Sequence, residues 1–371
     1  MNHQQDYPLW KETLRFSLGQ WRISILLLTP AAVISALLHA PPIIVFLLAA
    51  LALVPLASLL GDSTEQLAGH IGPMLGGLLN ATLGNVAELI IGIIALHRGQ
   101  VEVVKASITG SIVGNLLLVF GLAAFVGGLR HETLSFNRTA AGANVSMLFL
   151  AVVALVMPAL FQLTLLGSLR PTGTRIEHLS LWVAAVLLAS YLSSFIFMFR
   201  THRSVFRGER FATPTIRVRA ALILLVTAAV LTAVASEILV SQIEYVTHAL
   251  GWTELFVGLV IVATVGNAAE HSTAVIMARK GQMDMALNIA VGSSAQIALF
   301  VAPLLVVISQ LRASPMSLVF HPLEITAVIL SVGVVTVTSL DGETHWFEGL
   351  LLLGVYAILA VFFYFLPAPP A

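Results

Sequence analysis

Residues 81–88 read Ala-Thr-Leu-Gly-Asn-Val-Ala-Glu and residues 263–270 read Ala-Thr-Val-Gly-Asn-Ala-Ala-Glu, so one octet returns at a displacement of 182 positions. The displacement holds beyond the octet without a gap: Gly99-Gln100 falls on Gly281-Gln282, Glu102 on Asp284, and Gly110-Ser111 on Gly292-Ser293. Each copy lies in a long apolar segment, so the repeated unit is a helical hairpin carrying one carboxylate, Glu88 or Glu270. A carboxylate at the centre of a membrane helix costs about 2.5–3.5 kcal/mol on insertion scales, which marks it as functional by default. Two of them at equivalent places in two repeats read as one cation site.

The composition around the octets agrees. With 371 residues, 58% apolar and only 10% charged, the chain has too little polar surface to cover a soluble globule and reads as an all-α polytopic membrane protein. The formal net charge is zero, so no nucleic-acid partner is indicated; the bilayer itself is the expected surrounding. Cysteine is absent, which excludes disulfides, thiolate metal sites and cysteine nucleophiles. Lys11, Glu12 and Arg15 precede an apolar run with no small-residue cleavage pattern, so a retained first span is expected rather than a signal peptide.

Apolar stretches of about 20 residues, enough to cross ~30 Å of hydrocarbon, fall at 22–40, 42–61, 71–97, 102–128, 138–160, 177–200, 216–243, 252–279, 283–312, 321–340 and 345–366, about eleven transmembrane helices. Placing the N-terminus in the cytoplasm puts Lys11, Arg15, Arg22, Arg130, Arg138, Arg200, Arg203, Arg207, Arg210, Arg217, Arg219, Arg279 and Lys280 inside. Only Arg98, Lys105, Arg170, Arg175 and Arg312 then lie outside, as the positive-inside rule asks. A repeat displaced by five spans, an odd number, is inverted in the membrane, and inverted repeats are the architecture of alternating-access carriers. The division that follows is 1–41 as a tail with an extra first helix, 42–200 as one five-helix repeat, 201–215 as a basic cytoplasmic linker, and 216–371 as the second five-helix repeat. A second matched pair supports it: Ser63-Thr64-Glu65-Gln66-Leu67 resembles Ala235-Ser236-Glu237-Ile238-Leu239 at a displacement of 172. Glu65 and Glu237, near the ends of their spans, are candidates for gating or proton relay, and equally for a water-facing interfacial role.

Asn and Glu three apart put Asn85 with Glu88, and Asn267 with Glu270, on one side of their helices, with Thr82 and Thr264 a turn further back. Gly84 and Gly266 weaken the helix just before them, and an interrupted membrane span is tolerable only where it lines a cavity or binds an ion. Two carboxylates, two amide oxygens and freed carbonyls make an all-oxygen site, the set hard cations and Ca²⁺ above all require. The following helices offer Ser111 and Asn115 in the first hairpin, Ser293 and Gln296 in the second, either as neutral ligands or as interhelical hydrogen-bonding groups. His271 follows Glu270 about 100° around the helix and is a further candidate for proton relay. One divalent cation or two protons can each discharge the same two carboxylates, and that mutual exclusion suffices for antiport.

At these residues the sequence resembles the Ca²⁺/H⁺ antiporters, the cation/proton exchanger branch of the Ca²⁺/cation antiporter superfamily. The resemblance rests on Gly-Leu-Leu-Asn-Ala-Thr-Leu-Gly-Asn-Val-Ala-Glu-Leu-Ile at 77–90, Gly-Asn-Ala-Ala-Glu-His at 266–271, Gly-Ser-Ser-Ala-Gln-Ile at 292–297, and Asp341-Gly342 followed by Phe347-Glu348-Gly349-Leu350. It implies that Glu88 and Glu270 bind transported Ca²⁺, with Asn85, Asn267, Ser111, Asn115, Ser293 and Gln296 around them, and that no cofactor is needed beyond Ca²⁺ and H⁺ as substrates. Where eukaryotic members carry an acidic segment between the halves, residues 200–219 are basic with Glu209 as the one acid, and the N-terminal tail is short. Both features point to a prokaryotic plasma (inner) membrane.

Other classes fit less well. An intramembrane metalloprotease needs His-Glu-x-x-His, but His131-Glu132 is followed by Ser135, so no enzyme is expected. The alternatives that stay open are a Na⁺ or K⁺/H⁺ antiporter of the same fold and a passive cation channel, and a homo-oligomer is compatible with all of them.

Overall fold

A computed structural model of the chain describes residues 24–71, 73–166, 174–202, 214–312 and 315–367. The tail through residue 23 and the stretches 167–173 and 203–213 lie outside the described residues, and with them Lys11, Arg15, Arg22, Arg170, Arg203, Arg207 and Arg210 of the orientation reading.

Among the described residues, seven helices are long and apolar enough to cross a membrane unaided: α2 (Pro42–Ile71), α5 (Val101–Gly128), α6 (Arg138–Thr164), α7 (Arg175–Ile196), α8 (Val218–Leu250), α11 (Met283–Ser309) and α13 (Trp346–Tyr364). Two bent pairs are long and apolar enough to cross as one span each, α3 (Leu75–Leu83) with α4 (Val86–His97) at 42°, and α9 (Glu254–Gly266) with α10 (Ala268–Arg279) at 58°. The shorter apolar helices α1 (Leu27–Leu37) and α12 (Pro322–Thr338) take the two remaining expected spans. Both bends fall at the octets, where the sequence places Gly before Asn.

The helices carrying Glu65 and Glu237 run longer than hydropathy suggests. α2 continues to Ile71 and α8 to Leu250, so neither carboxylate is close to a helix end. Polar residues 62–66 read as the approach to a loop, yet Ser63, Thr64 and Gln66 are buried inside the bundle. α2 lies along α8, and the two are joined where the linker ends: Gln66 Oε1 accepts from the Thr215 and Ile216 amides at 2.7 and 3.3 Å, and His70 Nε2 donates to the Ile216 carbonyl at 2.7 Å.

Small residues set the spacing of the remainder, as expected where lipid is as apolar as leucine and close packing drives association. A Cβ at Gly110 would lie 2.1 Å from the Leu259 carbonyl oxygen, so α5 touches the backbone of α9 beside Ser111. The loops after α5 and α12 pair as a minimal antiparallel sheet, β1 (Leu134–Ser135) with β2 (Glu343–Thr344), in the register Leu134 to Thr344. The Phe136 amide donates to the Gly342 carbonyl at 2.8 Å, and the Asn137 amide to Asp284 Oδ1 at 2.6 Å.

Two charged residues are buried where hydropathy offers no place for them. Glu324 caps the start of α12, accepting from the His321 amide at 2.8 Å through one oxygen and from Thr109 Oγ1 at 2.8 Å through the other. Lys105 Nζ donates to the Val319 carbonyl at 2.8 Å and lies 3.5 Å from Glu102 Oε1. Together they fasten α12 and its preceding loop to α5.

Candidate cation site

The two octets break their helices in the same way. Asn85 (φ −98°, ψ 25°) and Asn267 (φ −90°, ψ 8°) leave the helical region for the bridge region, and α4 and α10 begin at the next residue. The break puts Glu88 and Glu270 in the first turns of α4 and α10. There the unpaired amides and the helix dipole favour a negative charge that hydrocarbon alone would reject. Neither asparagine caps its own helix with its side chain. Both amides reach across to the other repeat instead.

The crossing is reciprocal. Asn85 Nδ2 donates to Gln296 Oε1 at 2.7 Å and Asn85 Oδ1 accepts from Ser293 Oγ at 3.0 Å, so the first octet is held by the second hairpin. Asn267 Nδ2 donates to Ser111 Oγ at 2.8 Å and to the Ala263 carbonyl at 2.8 Å, while Asn267 Oδ1 accepts from Asn115 Nδ2 at 3.2 Å, so the second octet is held by the first hairpin. Glu270 joins the same net, accepting from Asn115 Nδ2 at 3.1 Å and sharing the single Ser293 hydroxyl proton, at 2.8 Å, with Asn85 Oδ1.

Glu88 differs. Its Oε2 is buried and accepts no hydrogen bond, and Asn115 Oδ1, on a side chain bonded to Glu270, is buried without a donor too. An unmet buried acceptor costs about 1–3 kcal/mol, more when it is charged, so two orphan oxygens beside a second carboxylate form a place that a cation stabilises. The two carboxylates are near enough to repel one another. Glu88 Oε1 also lies 3.6 Å from where a Cβ on Gly266 would stand, which puts the carboxylate of one repeat against the helix break of the other. Among the described residues, no group of three or more His, Cys, Asp or Glu is placed to hold a metal, so the site has two carboxylates and neutral oxygens, a hard-cation set.

The expected residues divide clearly. Glu88, Glu270, Asn85, Asn267, Ser111, Asn115, Ser293 and Gln296 come together, and Gly84 and Gly266 stand at the breaks. Thr82 and Thr264 are outside the net: each hydroxyl donates to its own helix, to the Leu78 carbonyl at 2.7 Å and to the Val260 carbonyl. His271 lies half-buried beside Glu270 with its amide on the Asn267 carbonyl. Glu65 and Glu237 are away from the net on α2 and α8, and Glu237 is ion-paired with Arg98, a residue no sequence signal singled out.

Sequence reasoning also missed π-helical stretches at Gly114–Val119, Asn288–Gly292 and Ile297–Val301, which carry Asn115 or flank Ser293 to Gln296. Each widens the helix by one residue, a device frequent at functional sites. The signal was present in the spacing: 182 added to 115 gives 297, so Asn115 and Gln296 are one position out of register as repeat partners.

The chain matches the family described as sodium/calcium exchanger protein over residues 41–200 and 220–365. It is 44% identical over 344 residues to a Ca(2+)/H(+) antiporter of Synechocystis, covering 87% of this chain and 91% of that one. It is 41% identical to the Ca(2+)/H(+) antiporter ChaA of Bacillus subtilis, covering 91% and 96% respectively. The solved structure of native YfkE superimposes with a TM-score of 0.81 at 39% identity, covering 93% of this chain and 99% of that chain.

Proposed function

The chain belongs to the sodium/calcium exchanger protein family, and from that premise we infer that it is an integral membrane transporter exchanging Ca²⁺ for H⁺, with the ions bound between Glu88 and Glu270. The observation that carries the site assignment is the buried, unpartnered Oε2 of Glu88, on a carboxylate whose other oxygen stands against the helix break at Gly266. Ca²⁺ neutralises both carboxylates, with Asn85, Asn267, Asn115, Ser111, Ser293 and Gln296 supplying or orienting neutral oxygens. When Ca²⁺ leaves, two protons take its place, because a bare dianion in a low-dielectric layer is the costliest state the site has. A discharged site reorients and a charged empty one does not, so the two fluxes are coupled.

The reading divides the chain into an extra first helix, repeats at 42–200 and 216–371, and a basic linker. The excess of Arg and Lys near 200–219 and 279–280 supports an N-terminus in the cytoplasm, and a linker that is basic where eukaryotic members are acidic supports a prokaryotic plasma membrane. Proton-driven ⁴⁵Ca²⁺ uptake into proteoliposomes, with Na⁺ and K⁺ as competitors, tests the function. Glu88→Gln and Glu270→Gln test the site: each is expected to abolish exchange in protein that still inserts and folds. Substantial exchange surviving in either would remove that carboxylate from the mechanism.

A further inference from the structure

We propose that Arg98–Glu237 and Lys280–Glu65 are duplicated latches that close alternately on the two sides of the cation site, the first closed in this structure. The inference rests on the exchange reading above. Arg98 directly follows α4, and its guanidinium is ion-paired with Glu237 of α8. Two residues on, Gln100 Nε2 donates to the Val240 carbonyl at 3.3 Å, a second tie from the hairpin tip to the same helix. The displacement of 182 carries Arg98 to Lys280 and Gln100 to Gln282, and that of 172 carries Glu237 to Glu65, so both members of the pair recur with their charges intact. On that side the contact is open. Lys280 and Gln282 are exposed, and among the described residues neither Lys280 nor Glu65 makes an ion pair.

The half-helices leading to the two sides differ in the same sense. Beyond Glu88, α4 runs Leu-Ile-Ile-Gly-Ile-Ile-Ala-Leu, with Ile91, Ala95 and Leu96 buried. Beyond Glu270, α10 runs His-Ser-Thr, with Ser272 and Thr273 exposed. The flank towards Arg98 is therefore wholly apolar and largely packed, and the flank towards Lys280 is polar and open at Ser272 and Thr273. Repeats related by a pseudo-two-fold axis exchange conformations when access switches, so the tie made by one repeat here is the tie the other makes in the opposite state. Each latch then stabilises one of two states, as a two-state coupling element requires.

Because both side chains of the closed pair are partly exposed, its loss is expected to shift the population by about two- to fivefold, the range of exposed ion pairs. The test uses the native absence of cysteine. In full-length protein in vesicles, Thr273→Cys is labelled with an impermeant maleimide from the Lys280 side, with no transport needed for the readout. Arg98→Gln or Glu237→Gln is expected to slow labelling two- to fivefold, and Arg98→Glu combined with Glu237→Arg to restore it; Glu65→Gln or Lys280→Gln leaves it unchanged or faster. A fall in labelling for variants of both pairs, or no response to either, would overturn the proposal. Independently, short bifunctional thiol reagents should bridge Arg98→Cys/Glu237→Cys and, in turning-over vesicles, Glu65→Cys/Lys280→Cys; bridging of the first pair without the second refutes alternation. If exchange itself were misread, these labelling responses would persist with no proton-driven Ca²⁺ flux.

Discussion

The pH dependence of Ca²⁺ affinity follows from the inventory of the site. Glu88 and Glu270 are its only acids, and the groups hydrogen-bonded around them, Asn85, Asn115, Asn267, Ser111, Ser293 and Gln296, are neutral. Where the empty site holds two protons, each bound Ca²⁺ displaces both, so the dissociation constant should rise a hundredfold for each unit that pH falls, about 2.7 kcal/mol at 1.36 kcal/mol per proton. Glu270→Gln removes one of the two. The variant can keep its geometry with the new amide oxygen accepting from Asn115 Nδ2 and its NH2 donating to Ser293 Oγ, which turns its own proton to Asn85 Oδ1. Its residual binding should then show a limiting slope of tenfold per unit. Isothermal titration or ⁴⁵Ca²⁺ equilibrium binding across pH 5–8 measures both slopes. An affinity flat in pH, or a slope that Glu270→Gln leaves unchanged, would show that protons travel by another route, with Glu65, Glu237 and His271 next in line.

Three further outcomes are expected. An electroneutral exchange of two protons per Ca²⁺ sustains about a hundredfold Ca²⁺ gradient per pH unit; the reversal ratio in vesicles should sit there and ignore membrane voltage, and a voltage-dependent reversal would require a third proton. His97→Cys and Arg279→Cys, equivalent positions at the two hairpin tips, should be labelled by impermeant reagents from opposite sides of the membrane; labelling from one side would rule out the inverted repeat. The neighbouring Gly99 and Gly281 are unsuitable reporters because both hold a left-handed φ, 83° and 74°. The octet glycines should respond unequally to alanine. A Cβ at Gly84 would lie 2.6 Å from the Asn80 carbonyl oxygen, whereas at Gly266 the nearest atom is 3.6 Å away. Gly84→Ala should therefore destabilise by about 1–3 kcal/mol, the cost of forced overpacking, and Gly266→Ala by much less, as read by thermal unfolding in detergent.

The repeated octet, the apolar helices and the two breaks were legible in the sequence because they are written locally: a duplicated octet, runs of apolar residues, a glycine ahead of an asparagine. The two octet carboxylates stood out because a charge in hydrocarbon is too costly to keep without a use. What stayed hidden is tertiary. Nothing in the octets says that Asn85 is held by Ser293 and Gln296 of the other hairpin, since each repeat carries its own serine at the same distance. Glu65 and Glu237 read alike, yet only Glu237 is paired, because the repeats adopt different conformations of one sequence pattern. Glu324 and Lys105 lie a few residues inside apolar stretches, and their burial depends on Thr109 and on a loop carbonyl that no periodicity reveals.

The small strand pair has a mechanical consequence. β1–β2, the Phe136–Gly342 bond and the Asn137–Asp284 bond stitch together the ends of α5, α6, α11, α12 and α13. At the same end a Cβ on Gly128 would stand 2.3 Å from the Trp346 amide nitrogen, leaving α5 no clearance to slide past α13. α2 and α8 stand outside the seam, tied to each other through Gln66 and His70 rather than to it. A shift of α2 together with α8 breaks none of these ties, whereas shear among the stitched helices must break at least one of them.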